Sequence, residues 1–173
     1  MNSKPASLEL PSGARLVAEP ERLNYLHTAC RRLSRNMTAF EAYCASTARP
    51  SVPLQVAFLV RDKISSLFGV QTIRGFKGAR PRSAPAVGQR LDFFTVEVVT
   101  DDQLVLTSRD THLAVMISID MTSSPSDPSG RWCHITASVE TYNAFGKLYM
   151  LPVAPAHKLI VWKMLKSLDA ASA

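Results

Sequence analysis

His157 is the residue whose type and position most invite chemistry. It stands three and four positions before Ile160 and Val161, on the apolar face of an expected C-terminal helix and near its N-terminal end, where it would line the mouth of a cavity. The ordinary imidazole pKa suits general acid or base work near neutral pH; the competing reading is a core histidine hydrogen-bonded to backbone, the more frequent fate of a lone histidine on an apolar face. Asp110 and His112, two apart across an expected tight turn, could form an Asp–His dyad. A turn aspartate, however, commonly accepts from nearby backbone amides, and that reading is preferred.

Arg61 and Asp62 interrupt an otherwise apolar helical stretch. Arg61 could hold a ligand carboxylate through its planar fork of donors, or join a structural ion pair with Asp110 or Glu97. Asn143, Gly146 and Tyr149 fall at an expected strand-to-helix junction. There a phenol and an amide could fix a polar ligand head, while the preferred reading has Asn143 capping a helical turn and Gly146 allowing close backbone approach. Met116, Met150 and Met164 can serve as an adaptable cavity wall or as core filler.

Sharper signatures are missing. There is no Gly-x-Gly-x-x-Gly, phosphate-loop Gly-Lys-Ser/Thr, Gly-x-Ser-x-Gly elbow or His/Cys pattern with metal spacing. No cofactor, no tightly bound metal and no catalytic residue set is therefore expected.

The elements that must position these residues follow from periodicity. A leader occupies residues 1–13, ahead of a single domain over 14–170, with a short strand at Ala14–Ala18 and a first full strand at Tyr25–Arg32. Thr38 with Glu41 three residues on is a capping box for a helix reaching Ala45. A second helix starts near Pro53 and stops before Gly69, with Ala57, Val60, Ile64, Leu67 and Phe68 on one stripe. Gly69 to Arg90, holding Gly69, Gly75, Gly78 and Gly88, reads as a long loop with at most a short strand at Val70–Ile73.

Four strands come next, at Leu91–Val99, Gln103–Arg109, Leu113–Ile119 and Trp132–Thr141, forming an antiparallel meander with Met121–Gly130 as a polar loop. Alternation puts Phe94, Val96 and Val98, Leu104 and Leu106, Leu113, Val115 and Ile117, and Cys133, Ile135, Ala137 and Val139 on one apolar face. A final helix from Pro155 to about Leu168 carries Ile160, Val161, Met164, Leu165 and Leu168 as its stripe, with Lys163 and Lys166 outside it. At about 1.5–3 kcal/mol per buried large side chain, that stripe outweighs helix propensity, so the helix needs the sheet.

At 173 residues, one domain can bury about two-thirds of its unfolded surface, and 46% hydrophobic with 20% charged residues rules out general disorder. Cys30, Cys44 and Cys133 are odd in number and lack Cys-x-x-Cys spacing, and the first twenty residues hold no apolar core of a signal peptide. The expected location is the cytoplasm, where the Asn36-Met37-Thr38 acceptor triplet has no use. No run is long enough for a membrane span. Much of the net charge of +6 sits on Arg74, Lys77, Arg80, Arg82 and Arg90, which could attract phosphate or anionic lipid. Without interleaved aromatic residues or a binding motif it reads as a solvated loop, and nucleic acid is not an expected partner.

Two helices, a meander and a long terminal helix resemble the START/Bet v 1-like (SRPBCC) superfamily. More specific wording lies in Leu59-Val60-Arg61-Asp62 with Phe68-Gly69-Val70, Ser108-Arg109-Asp110-Thr111-His112-Leu113, Asn143-x-x-Gly146-x-x-Tyr149 and Pro155-Ala156-His157. Together, over residues 22–168, these resemble the uncharacterised bacterial domain-of-unknown-function family 2867. The resemblance implies an α+β helix-grip fold with a cavity between sheet and C-terminal helix; it carries no established reaction. The expected ligand is a small apolar or amphipathic molecule, met by Arg61, Phe94, Val96, Leu106, Val115, Ile117, Tyr149, His157 and Met164. The alternatives are a cyclase, isomerase or hydrolase working in the same cavity, and a structural or partner-binding domain with a filled core. A homodimer contact through Trp162 is left open.

Overall fold

The computed structural model of the chain describes residues 10–48, 83–124 and 127–170. Arg61, the helix expected from Pro53, the strand at Val70–Ile73 and every basic-loop residue except Arg90 lie outside the described residues.

Strand β1 (Tyr25–Arg32) and helix α1 (Ala39–Thr47) form where their patterns place them. Thr38 Oγ1 accepts from the Glu41 amide at 3.2 Å and Glu41 Oε2 accepts from the Thr38 amide at 2.7 Å, so the capping box satisfies two helix-start donors. The remaining strands are β2 (Arg90–Leu91), β3 (Phe94–Val99), β4 (Gln103–Arg109), β5 (Leu113–Ser124) and β6 (Asp127–Thr141). They pair antiparallel throughout in one six-stranded sheet, order β1-β6-β5-β4-β3-β2. The expected meander is the body of this sheet, and β1 joins its free edge with Tyr25 opposite Val139 and Ala29 opposite Ile135.

Four local readings are corrected. The expected strand Leu91–Val99 is a tight hairpin, because Asp92 adopts φ 55° and turns the chain between paired Leu91 and Phe94. Aspartate tolerates this left-handed conformation, and its carboxylate accepts from Tyr43 Oη of α1 at 2.6 Å. Within β3, a bulge between Val96 and Val98 changes the register, so that Val96 faces Leu106 but Val98 faces Val105. The extra residue moves Val98 to the opposite side of the sheet from Phe94 and Val96. The polar stretch Met121–Gly130 is mostly ladder, since β5 continues to Ser124 and β6 begins at Asp127. Backbone pairing propagated from Leu113 opposite Thr141 is made by main-chain groups and so tolerates polar side chains. Finally, Ala14–Ala18 forms no strand and bends at Val17 and Ala18; side-chain hydroxyls of the sheet take its amides instead, Ser138 from Val17 at 2.9 Å and Ser118 from Arg15 at 3.4 Å.

The closing helix α2 spans Ala144–Ala170, beginning well before the expected start at Pro155 and running through Pro152 and Pro155. Each proline removes a ladder donor, which ordinarily ends a helix. Tertiary contacts override this. Asn143 Oδ1 accepts from the Gly146 amide at 3.0 Å as an N-terminal cap, and Met150, Val153 and Ala154 pack on Leu113 and Val139.

One face of the sheet carries the main core. Val96, Leu104, Leu106, Ile119, Cys133 and Ile135 meet Ala39, Ala42 and Tyr43 of α1 and Val161, Leu165 and Leu168 of α2. On the other face, Val17 closes over Val105, Ala114 and Met116, and buried Asp120 is held by Ser118 Oγ at 2.8 Å and Gln103 Nε2 at 2.6 Å. This segment is therefore a strap across the back of the sheet.

Gly146 is the tightest joint. A Cβ there would lie 2.5 Å from the His112 carbonyl oxygen, a backbone atom that also accepts from the Tyr142 amide. Gly146→Ala is expected to cost about 2–3 kcal/mol in urea unfolding, the reverse of the gain that glycine-to-alanine brings at an open helix surface.

Candidate functional site

Alternation along β1 sends Tyr25 and His27 to the face that α2 covers, opposite Val139 and Ala137 of β6. On α2, helical spacing puts Met150, Val153, Ala154, His157 and Val161 on the stripe that faces the sheet. His157 thus enters between Tyr25 and His27. Its ring is edge-on to both, with centroids 5.7 Å from Tyr25 and 6.1 Å from His27, and the Tyr25 and His27 rings are stacked at 6.4 Å.

Few hydrogen bonds hold this group. Tyr25 Oη donates to the Ala154 carbonyl at 3.3 Å and stands 3.5 Å from His157 Nδ1, at the edge of hydrogen-bonding range. His27 Nδ1 is buried and has no partner. A buried polar atom left unpaired costs about 1–3 kcal/mol. The electrostatics agree with burial. Desolvation pulls His157 down to about 4, helped by nearby His27, and pulls His27 down as well, helped by the Lys158 ammonium. Desolvation lifts the Tyr25 phenol to about 12. At neutral pH the group therefore comprises two uncharged imidazoles and a protonated phenol.

The residues expected to line a cavity separate into two sets. Phe94, Val96 and Leu106 are core, Val96 and Leu106 being wholly buried, and Ile117 and Met164 pack against them. Val115 and Tyr149 sit at the other end of the helix, with Tyr25, Val153 and Ala154 around Leu113, Val139 and Met150. His157 lies beside this second set. Arg61 lies outside the described residues. Tyr25 and His27 were not among the expected site residues. Their strand was legible, but their face becomes meaningful only when β1 pairs with β6 across more than a hundred residues.

Asp110 and His112 do not form a dyad. Asp110 Oδ1 accepts from the backbone amides of His112 at 2.7 Å and Leu113 at 2.9 Å, while the His112 ring meets Phe145 edge-to-face at 4.6 Å and its Nδ1 lies 3.0 Å from Asn143 Nδ2. The turn and cap readings of Asp110 and Asn143 hold. Cys133 is buried and its thiol is pushed up to about 12, first by desolvation and then by Asp120, so it is no nucleophile. Among the described residues, no three His, Cys, Asp or Glu side chains converge as metal ligands.

A concavity of about 360 Å³ lies away from these rings, at the start of α1 between Asn36, Met37, Thr38, Glu41, Asp101, Asp102 and Arg131. Three of its charges are paired within the fold. Glu41 completes the capping box, and Arg131 pairs with Asp102 and donates to the Met37 carbonyl.

The fold and the site define an α+β protein in which a six-stranded antiparallel sheet is packed by a long C-terminal helix, with an aromatic and imidazole cluster between them. The chain belongs to the family described as "Protein of unknown function (DUF2867)", whose sequence model matches residues 20–164. Comparison with curated proteins finds no match. Two solved structures are similar in outline. The Mll3558 protein from Rhizobium loti matches with 12% identity and a TM-score of 0.44, covering 84% of this chain and 95% of that one. An uncharacterized protein from Rhizobium leguminosarum matches with 9% identity and a TM-score of 0.41, covering 83% and 93%. Among the described residues, no helix is long and apolar enough to cross a membrane.

Burial of His157 has a thermodynamic consequence. The unfolded imidazole takes its proton near 6.5 and the folded one near 4, so between these values the unfolded chain binds more protons. The stability is present above pH 6.5 and is lost as pH falls toward 4. Urea unfolding at pH 7.5 and 4.5 should show a larger loss for the wild type than for His157→Leu, by on the order of 2 kcal/mol after allowance for partial exposure.

Proposed function

We propose that the chain is a helix-grip protein of the START/Bet v 1-like kind that binds a small apolar or amphipathic molecule at the N-terminal half of α2. The filled core around Val96 and Leu106 leaves the opposite end of the helix as the place for a ligand. Val115, Tyr149 and Val153, each only partly buried, supply an apolar wall there. Tyr25, His27 and His157 supply the polar end. The observation that carries this reading is the unpartnered His27 Nδ1 inside a cluster of three rings, a buried hydrogen-bonding atom with nothing to bond.

Catalytic use of the same place has weaker support. A histidine acting as general base is usually oriented by a partner, and Asp110 is committed to backbone amides far from His157. His157 instead faces another imidazole and a phenol.

Native mass spectrometry of the purified protein, followed by denaturing extraction, is the test. A co-purified small molecule is expected in the wild type and should be lost in Val115→Trp, which fills the apolar wall, with the circular dichroism of the fold retained. A wild-type protein that carries nothing and leaves a fluorescent apolar probe dark would sink the reading.

A further inference from the structure

Helix α2 has a second apolar face, on the side away from the sheet. Leu148, Leu151, Pro155, Leu159 and Trp162 recur at intervals of three and four residues, the spacing of one ridge along a helix. The stripe that packs on the sheet, with Met150, Val161, Leu165 and Leu168, occupies the other side. Leu148 is 63% exposed, Leu151 69%, Leu159 45% and Trp162 54%, so the ridge is no part of the core.

The charge on this helix has one sign. By helical spacing Lys147 and Lys158 run along one edge of the ridge and Lys163 along the other, while Lys166 stands at its C-terminal end, 5.2 Å from the Trp162 ring. Against these four lysines the helix sequence carries one acidic residue, Asp169 in its last turn. In the sequence outside the described residues the only acidic side chains are Glu9 and Asp62, outnumbered by Lys and Arg. The chain therefore holds little with which to neutralise the helix.

We propose that the outer face of α2 docks on a membrane surface rich in anionic lipid, with Leu148, Leu151, Leu159 and Trp162 entering the headgroup layer and the lysines meeting lipid phosphates. This stands apart from the ligand reading, which uses the opposite face of the helix. A second copy of the chain fits the ridge poorly. A two-fold contact along α2 would set the lysines of one helix against those of the other. The four exposed side chains also offer on the order of 400 Å², about half of what each partner in a stable complex buries. A membrane needs no matching surface, and leucine and tryptophan flanked by lysine make a helix that lies in its interface. Lying there demands no spanning segment, in keeping with a helix too polar to cross.

Co-sedimentation of the full chain with vesicles of phosphatidylcholine alone, and with about one-third phosphatidylglycerol, tests this at about 0.1 M and about 0.5 M salt. Binding is expected to be at least tenfold tighter on the anionic vesicles and to weaken at the higher salt. Lipid brominated on its acyl chains should quench the wild-type tryptophan fluorescence. Trp132 lies on β6, so the quenching should be lost in Trp162→Phe, which keeps the ridge apolar. Leu151→Glu/Trp162→Glu, at two exposed positions, should abolish binding with an unchanged circular dichroism spectrum. Lys147→Gln/Lys166→Gln should weaken it about tenfold.

Equal binding to both vesicle compositions, or none to the anionic ones, would overturn the proposal. So would binding undiminished in Leu151→Glu/Trp162→Glu, which would place adhesion on basic residues elsewhere. A wild-type dimer in sedimentation equilibrium that this variant converts to a monomer would give the face to a second copy instead. The lipid preference and the quenching are read on the wild type, so a variant that fails to fold leaves the test standing.

Discussion

The rest of the structure depends on the burial of one sheet face under α1 and α2. Leu104, Leu106, Ile119, Ile135 and Val96 present a continuous apolar surface from adjacent strands, and α2 answers it with Val161, Leu165 and Leu168 at helical spacing. At about 1.5–3 kcal/mol for each such side chain, this contact exceeds any local preference in the chain. It therefore tolerates local violations. Two prolines sit inside α2, and a bulge interrupts β3, because the energetics are set by the shared face and not by each residue's own propensity.

The back of the sheet works differently. Its buried positions are largely hydroxyl-bearing, with Thr28 and Thr136 hydrogen-bonded at 3.0 Å and Ser118 and Ser138 receiving the strap. Such a face cannot be covered by another apolar helix without stranding polar atoms. A segment whose own amides need partners satisfies both sides at once. Arg22 reinforces the end of the strap by pairing with Glu140 at 2.5 Å, and Asn24 Oδ1 accepts from the Thr141 amide at 2.7 Å. The half-buried region between β1 and the N-terminal half of α2 is where titratable groups meet.

That region owes its character to position. Among the described residues β1 is an edge strand, with Tyr25 and His27 paired on one side to β6, and α2 covers them near its proline-containing half. Burial there is enough to hold His157 neutral at pH 7. On the far side of α2, Trp162 is exposed with Lys166 Nζ 5.2 Å from its ring, which shields part of the indole from water.

By itself the sequence determined the strand β1, the capping box at Thr38, the meander and its antiparallel sense, the Asp110 turn, the Asn143 cap and the apolar stripe of the last helix. These are local, set by side-chain periodicity and by groups within a few residues of one another. It also held enough wording to suggest the family. Only tertiary structure decided the rest: the reversal of Val98 at a bulge, the start of α2 upstream of Pro152, the conversion of Ala14–Ala18 into a strap, and the meeting of Tyr25, His27 and His157. Each depends on partners distant in sequence, whose contacts repay a local cost or turn an ordinary strand position into a site. Periodicity fixes which face a residue occupies; the register with a distant strand fixes what that face meets.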